Sequence, residues 1–331
     1  MKNKYRNWFM LFGVLAIVIM LLTMDMDYSD IWRSLLRAGI WFPAVLVLWF
    51  FVYLLNTCSW YLIINDEKKS SISFWRVYKL SVSGFALNYT TPCGLMGGEP
   101  YRIMELTPYV GVSKASSSVI LYVMMHIFSH IWLWFLSVFL YIFMYPVSLS
   151  MGLMLAVVGG CCLLAIYFFS RGYRTGMALK TLVLLTKIPF LRKWASGFLN
   201  AKRGTLEQID EQIALLHRQH KKTFYSSLGL EFSARVLSSL EIYFILRAFS
   251  AEVSFADCVL ILAFSSLFSN LIFFSPMQLG AREGGLALAV DGLHLSGALG
   301  VYTGLITRIR ELFWIAVGIL LIKIGNNKKQ S

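Results

Sequence analysis

Residues 88–102 read N-Y-T-T-P-C-G-L-M-G-G-E-P-Y-R, and residues 276–285 read P-M-Q-L-G-A-R-E-G-G. In both, a proline is followed seven residues later by a glutamate, Pro92 to Glu99 and Pro276 to Glu283, with glycine between. An apolar stretch precedes each motif, 72–91 before the first and 255–275 before the second. Proline interrupts a helix and glycine lets the backbone turn tightly or approach a neighbour closely. Each motif therefore reads as the tip of a broken-helix hairpin, formed by Pro92, Gly94, Gly97 and Gly98 in one case and by Pro276 and Gly280 in the other. The motifs are offset by 184 residues, and so are the apolar runs starting at Gly39 and Thr223 and those starting near Lys114 and Ala298. This agreement predicts an internal repeat.

The solvent for such a chain is lipid. Of its 331 residues, 58% are hydrophobic and 14% charged, against about 45–50% and about 25% in soluble domains. Several apolar runs reach the ~20 residues that a helix needs to cross a bilayer. No extended alternating pattern suggests a barrel, and lipid demands that backbone groups be satisfied internally, so helices remain. The expected fold is an all-α polytopic membrane protein. It has about six full spans and two re-entrant hairpins, in one integral membrane domain over 1–331. Repeat one covers about 8–145 and repeat two about 150–324. The apolar run at 8–24 lacks a small-residue cleavage site and reads as a retained span.

Charge placement sets the topology. Residues 171–222 carry eleven Lys or Arg and three acids, net +8 of the chain's +13. They read as a basic, interfacial insert on the cytoplasmic side, with Leu206, Ile209, Ile213 and Leu216 at helical spacing and Thr205 with Gln208 as a capping box. With Lys2, Lys4 and Arg6 also inside, the N- and C-termini are both cytoplasmic. Hairpin one (72–110) then enters and leaves on the inside, and hairpin two (255–294) on the outside. The repeat is inverted. A basic patch on a soluble domain, as nucleic-acid binding needs, is missing.

Charges inside such a chain are costly and are candidates for function. Glu99 and Glu283 read either as a cation, proton or headgroup site, or as clasps that pin the hairpins. Arg102 and Arg282 could hold a phosphate, or pair with Glu99, Glu105 or Glu283. Arg308, with Arg310 and Glu311 inside the last span, is the expected partner of Glu283. Glu231 and Arg235, spaced i, i+4, are expected to pair on one helix face, with Glu241 and Arg247 following. His126 and His130 share that spacing but have no third ligand in view, so no metal site is expected. The five cysteines, Cys58, Cys93, Cys161, Cys162 and Cys258, read as buried apolar residues. No nucleotide fingerprint or hydrolase constellation is present, and no cofactor is expected.

The stretch 88–102, the run 276–283 and T-R-I-R-E-L at 307–312 resemble the transmembrane region of lysylphosphatidylglycerol synthases, the flippase-like domain family. The likeness covers nearly the whole chain, and G-G-E-P-x-R is its most specific element. Met277-Gln278 depart from the family's glycine-rich second motif. The resemblance implies a bacterial cytoplasmic-membrane protein that moves an anionic or aminoacylated phospholipid between leaflets. Asn88, Glu99, Arg102, Arg282, Glu283 and Arg308 would then be its lipid-contacting residues. The synthase's aminoacyl-transferase domain is not expected here, so neither is enzymatic activity. The rival readings are a secondary transporter of a small solute and an accessory subunit of a lipid-modifying enzyme.

Overall fold

A computed structural model describes residues 36–66, 70–90, 97–175, isolated positions between 183 and 214, 220–249, 251–271, 281–293 and 295–323. The run 8–24, the hairpin tips with Pro92, Gly94, Pro276 and Gly280, Cys93, the Thr205–Gln208 box and the stripe at Ile209, Ile213 and Leu216 lie outside the described residues. The elements are α1 Trp41–Ile64, α2 Phe74–Thr90, α3 Gly98–Met144, α4 Leu149–Thr175, α5 Lys221–Ala248, α6 Phe255–Leu271, α7 Ala281–Asp291 and α8 Gly297–Lys323. No strand occurs among the described residues.

Local chemistry sets several of these boundaries. Asn65 ends α1: its Nδ2 donates to Tyr61 O at 2.9 Å, and its Oδ1 accepts from Ser70 N at 2.7 Å, turning the chain into α2. Ser254 and Asp257 form a reciprocal capping box at the start of α6, with bonds of 2.8 and 3.2 Å. The long α3 is two helices. Three residues after Pro108, Gly111 takes φ +81° and ψ 163°, a backbone conformation that side chains with a Cβ rarely adopt. The break ends the second arm of hairpin one at residue 110, as the topology requires, and the following span begins directly beyond it.

Helix length separates spans from hairpin arms. Trp41–Ile64, Gly98–Met144 and Leu149–Tyr173 are each long and apolar enough to cross. Helices α2 and α6 have 17 residues each, about 25 Å at 1.5 Å per residue, short of a ~30 Å hydrocarbon core. Helix α7 has only 11. Helices α5 and α8, with 28 and 27 residues, are long enough, but their sequences are interrupted by charges that the fold pairs internally. Lipid is met by apolar side chains: Leu149, Leu153, Val157, Leu164 and Phe168 project from α4. Cys161 lies on this outward-facing helix and is exposed, and Cys58 is half-buried, so of the described cysteines only Cys162 and Cys258 are buried as expected.

The two halves pack as a reciprocal pair. Equivalent helices α1 and α5 share the largest interface, and they run antiparallel. Trp41 lies against Phe244, Trp49 bonds Glu241, and Ser59 and Ser227 exchange hydroxyl-to-carbonyl bonds of 3.1 and 3.2 Å. Each hairpin's first arm packs on the span before it and on the span that follows the other hairpin: α2 on α1 and α8, α6 on α5 and α3. Two inter-helix contacts agree with the expected path. Asp66 and His220, both expected on one side, lie 3.4 Å apart. Tyr145 and Asp257, both expected on the other, are joined at 2.8 Å.

Candidate functional site

Hairpin one brings its arms together through glycine. A Cβ on Gly98 would stand 2.1 Å from Gly84 O, and a Cβ on Gly84 would stand 2.3 Å from Arg102 Nε. Gly97 itself has an ordinary φ of −83°. Gly98 and Gly84 therefore serve close approach, and unusual backbone angles are confined to Gly39 and Gly111 among the described glycines. Across this contact Asn88 Oδ1 accepts from Gly98 N at 2.6 Å, and Asn88 Nδ2 donates to Glu99 Oε1 at 2.9 Å. Asn88 thus clasps the second arm to the first and orients Glu99, which sits in the first turn of α3, where the helix dipole favours a carboxylate.

Arg102 follows Glu99 by three residues. Its Nη1 reaches Glu99 Oε1 at 3.5 Å and its Nη2 donates to Ser81 O at 3.1 Å. The guanidinium lies 5.4 Å from the Tyr122 ring centroid and 5.8 Å from that of Trp60. Arg102 Nε and Glu99 Oε2 have no hydrogen-bond partner among the described residues. The Arg102 side chain is 5% exposed and that of Glu99 24%, so the arginine is the wall and the carboxylate the face. Glu105 lies near Arg76 instead, at 3.8 Å.

Hairpin two builds a denser version. Arg308 Nε donates to Glu283 Oε1 at 2.7 Å, the expected pair. Arg308 Nη1 also reaches Glu311 Oε2 at 3.3 Å. Arg282 donates to Glu311 and, at 3.0 Å, to Tyr89 OH of hairpin one. The reason is direction. Successive residues at the start of a helix point about 100° apart, so Glu283 meets Arg308 while Arg282 points between Glu311 of α8 and Tyr89 of α2. Arg308 is 3% exposed and Glu283 28%, again a buried arginine behind an accessible carboxylate.

Helix α5 carries two further buried acids, one toward each half. Glu241 takes two bonds from Arg310, 2.8 and 2.9 Å, and one from Trp49 Nε1 at 2.9 Å, while Arg310 lies 3.7 Å over the Trp49 ring. Arg247 lies over Tyr243. Glu231 does not pair with Arg235 directly. The His126 ring of α3 meets both, with Nδ1 2.8 Å from Glu231 Oε2 and 2.8 Å from Arg235 Nη2. His126 and Arg310 occupy equivalent positions, 184 residues apart, and each engages an acid of α5. No three His, Cys, Asp or Glu residues converge as a metal-ligand set among the described residues.

The residues singled out from sequence therefore gather in two clusters, Asn88, Glu99 and Arg102 in one and Arg282, Glu283 and Arg308 in the other, bridged by Arg282–Tyr89. Sequence reading missed Tyr89, Trp49, Ser81 and Gly84. The first lies beside Asn88 in the quoted motif. Ser81 contributes a backbone carbonyl, for which no sequence signal exists.

Neither a curated protein nor a solved structure matches the chain. One family does, the lysylphosphatidylglycerol synthase TM region, over residues 10–318. That range takes in both hairpins, both charged clusters and nearly every described helix, so this multi-pass membrane chain belongs to the lysylphosphatidylglycerol synthase TM region family.

Proposed function

We propose that the chain is a flippase-type lipid translocator of a bacterial cytoplasmic membrane, moving an anionic or aminoacylated phospholipid between leaflets. The observation that carries this reading is the repeated arrangement of a partly accessible glutamate backed by a buried arginine, Glu99 before Arg102 and Glu283 before Arg308. A headgroup with both phosphate and ammonium groups needs such a pair of opposite charges. Arg102 supplies the positive charge that attracts the phosphate, and the carboxylates take the ammonium group or a coupling cation. Opposed hairpins, one in each repeat, offer equivalent contacts to a headgroup arriving from either leaflet. The chain acts by binding and moving lipid, without covalent chemistry.

The test is leaflet-resolved lipid movement in liposomes containing purified protein. Labelled phosphatidylglycerol and its lysyl ester would be compared for wild type, Glu99→Gln, Arg102→Ala and Glu283→Gln. Wild-type movement that falls at least about tenfold in folded variants, the loss of one charge-assisted contact, supports the reading. Failure of folded wild type to move either lipid, with uptake of a small solute instead, overturns it in favour of a solute transporter.

A further inference from the structure

One cluster lies between the two hairpin sites. On α3 the rings of Tyr122, His126, His130 and Trp134 recur every four residues and so share one helix face. Their successive centroids are 6.2, 5.6 and 5.6 Å apart. One end of this column meets hairpin one, where Arg102 lies over Tyr122. The other meets hairpin two, where Trp134 Nε1 donates to Ser266 Oγ at 2.9 Å. Halfway along, Glu231 of α5 touches His126. The Glu231 side chain is 0% exposed and that of His126 37%, so the histidine is the accessible member of the pair.

The hydrogen bonds define the proton inventory. Arg235 can only donate, and an ionised carboxylate can only accept. The neutral His126 ring carries one N–H. Nδ1 lies 2.8 Å from both Glu231 Oε2 and Arg235 Nη2, and Nη2 also reaches Nε2. Glu231 Oε1 has no hydrogen-bond partner among the described residues, and neither has His130 Nδ1 one turn away. We propose that Glu231 and His126 form a proton-binding site, with the Glu231 carboxylate as the group that takes up the proton and His126 as its accessible neighbour.

Proton uptake there changes the charge balance between the hairpins. With Glu231 ionised, Arg235 and Arg102 are matched by Glu231 and Glu99. Ser59 of α1, Tyr89 of α2 and Tyr122 and His130 of α3 also face the site. Neutralising Glu231 leaves two buried arginines against one acid, an arrangement that low dielectric penalises. Movement of Arg102, the hairpin residue of that pair, relieves it. The proton thus biases the position of hairpin one, and through Trp134–Ser266 the column reaches hairpin two. This coupling rests on the translocator reading, while the proton site itself does not.

The test reads the carboxyl group directly. Infrared difference spectra of the full chain in liposomes would be recorded between about pH 5 and pH 9, the range in which a buried acid beside histidine titrates. Wild type is expected to gain the C=O band of a protonated, buried carboxylic acid as pH falls, and Glu231→Gln to lack it. His126→Asn, which keeps a donor toward Glu231, is expected to shift the midpoint by about one unit or more. Absence of a titrating band in wild type, or its persistence in folded Glu231→Gln, overturns the proposal. If Glu231→Gln does not fold, the His126→Asn midpoint decides, and an unchanged midpoint rejects the site. Lipid movement measured on the same liposomes separates the two ideas. A titrating band without movement of any lipid keeps the proton site and rejects the translocator; pH-independent movement without a band does the reverse.

Discussion

Glu283 and Arg308 are bound at 2.7 Å across the junction of α7 and α8, and Arg308 reaches on to Glu311 at 3.3 Å. The arginine is therefore shared by two acids, and removing it takes a buried cation from both, with Glu311 keeping Arg282. Arg308→Ala is expected to lower stability by roughly 3–5 kcal/mol, the cost of an uncompensated buried charge. Glu283→Gln, at a position still 28% exposed, is expected to cost about 1–2 kcal/mol, closer to the loss of one charge-assisted bond. Thermal unfolding of the two variants in detergent measures the difference, and equal effects would contradict this division of roles.

Trp49 has two jobs at the α1–α5–α8 junction: its Nε1 donates to Glu241 and its ring lies under Arg310. Trp49→Phe keeps a ring and removes the donor, and is expected to cost about 1.5–3 kcal/mol, a hydrogen bond to a charged group. Arg310→Lys loses the two-bond contact with Glu241 and is expected to be at least as harmful. A double-mutant cycle of Trp49→Phe with Glu241→Gln should show strong coupling, and additivity would mean the bond contributes nothing.

Glycine substitutions should sort by what surrounds the new methyl group. At Gly98 a Cβ meets Gly84 O at 2.1 Å, both on backbone, so Gly98→Ala must separate the hairpin arms and is expected to lose more than about 2 kcal/mol. Gly160, within α4, has nothing within 4 Å, and Gly160→Ala is expected to gain about 0.5–1 kcal/mol from helix propensity. Gly111→Ala also meets no atom within 4 Å but inherits φ +81°, costing about 1–2 kcal/mol in backbone strain. Melting temperatures in one detergent rank the three.

The path through the membrane is testable by labelling. In a variant lacking the native cysteines, Ser70→Cys is expected to react with a membrane-impermeant maleimide only after the cytoplasmic side is exposed. Ser148→Cys, in the α3–α4 connection, is expected to react from outside. Labelling of both from the same side would overturn the inverted repeat and with it the equivalence of the hairpins.

Much of this architecture is legible in the residues themselves. Apolar run lengths, the two Pro-to-Glu motifs and the location of Lys and Arg determine an all-helical membrane chain with two short-armed hairpins. Lipid leaves a chain few choices, since it rejects open backbone and sorts positive loops to one side. The Glu283–Arg308 pair is also readable, because few charges within a span have a nearby opposite.

What only the tertiary structure decided is which charges meet. Arg282 faces Glu311 and Tyr89 because helix rotation sends neighbouring residues to different sides. His126 meets both Glu231 and Arg235 because α3 and α5 cross there, which i, i+4 spacing on α5 cannot reveal. Sequence spacing reports contacts along one helix, whereas the partners of a buried charge come from whichever helices pack around it. In this protein those partners come both from the same half of the chain, as for Glu241 and Arg310, and from the other half, as for Glu231 and His126.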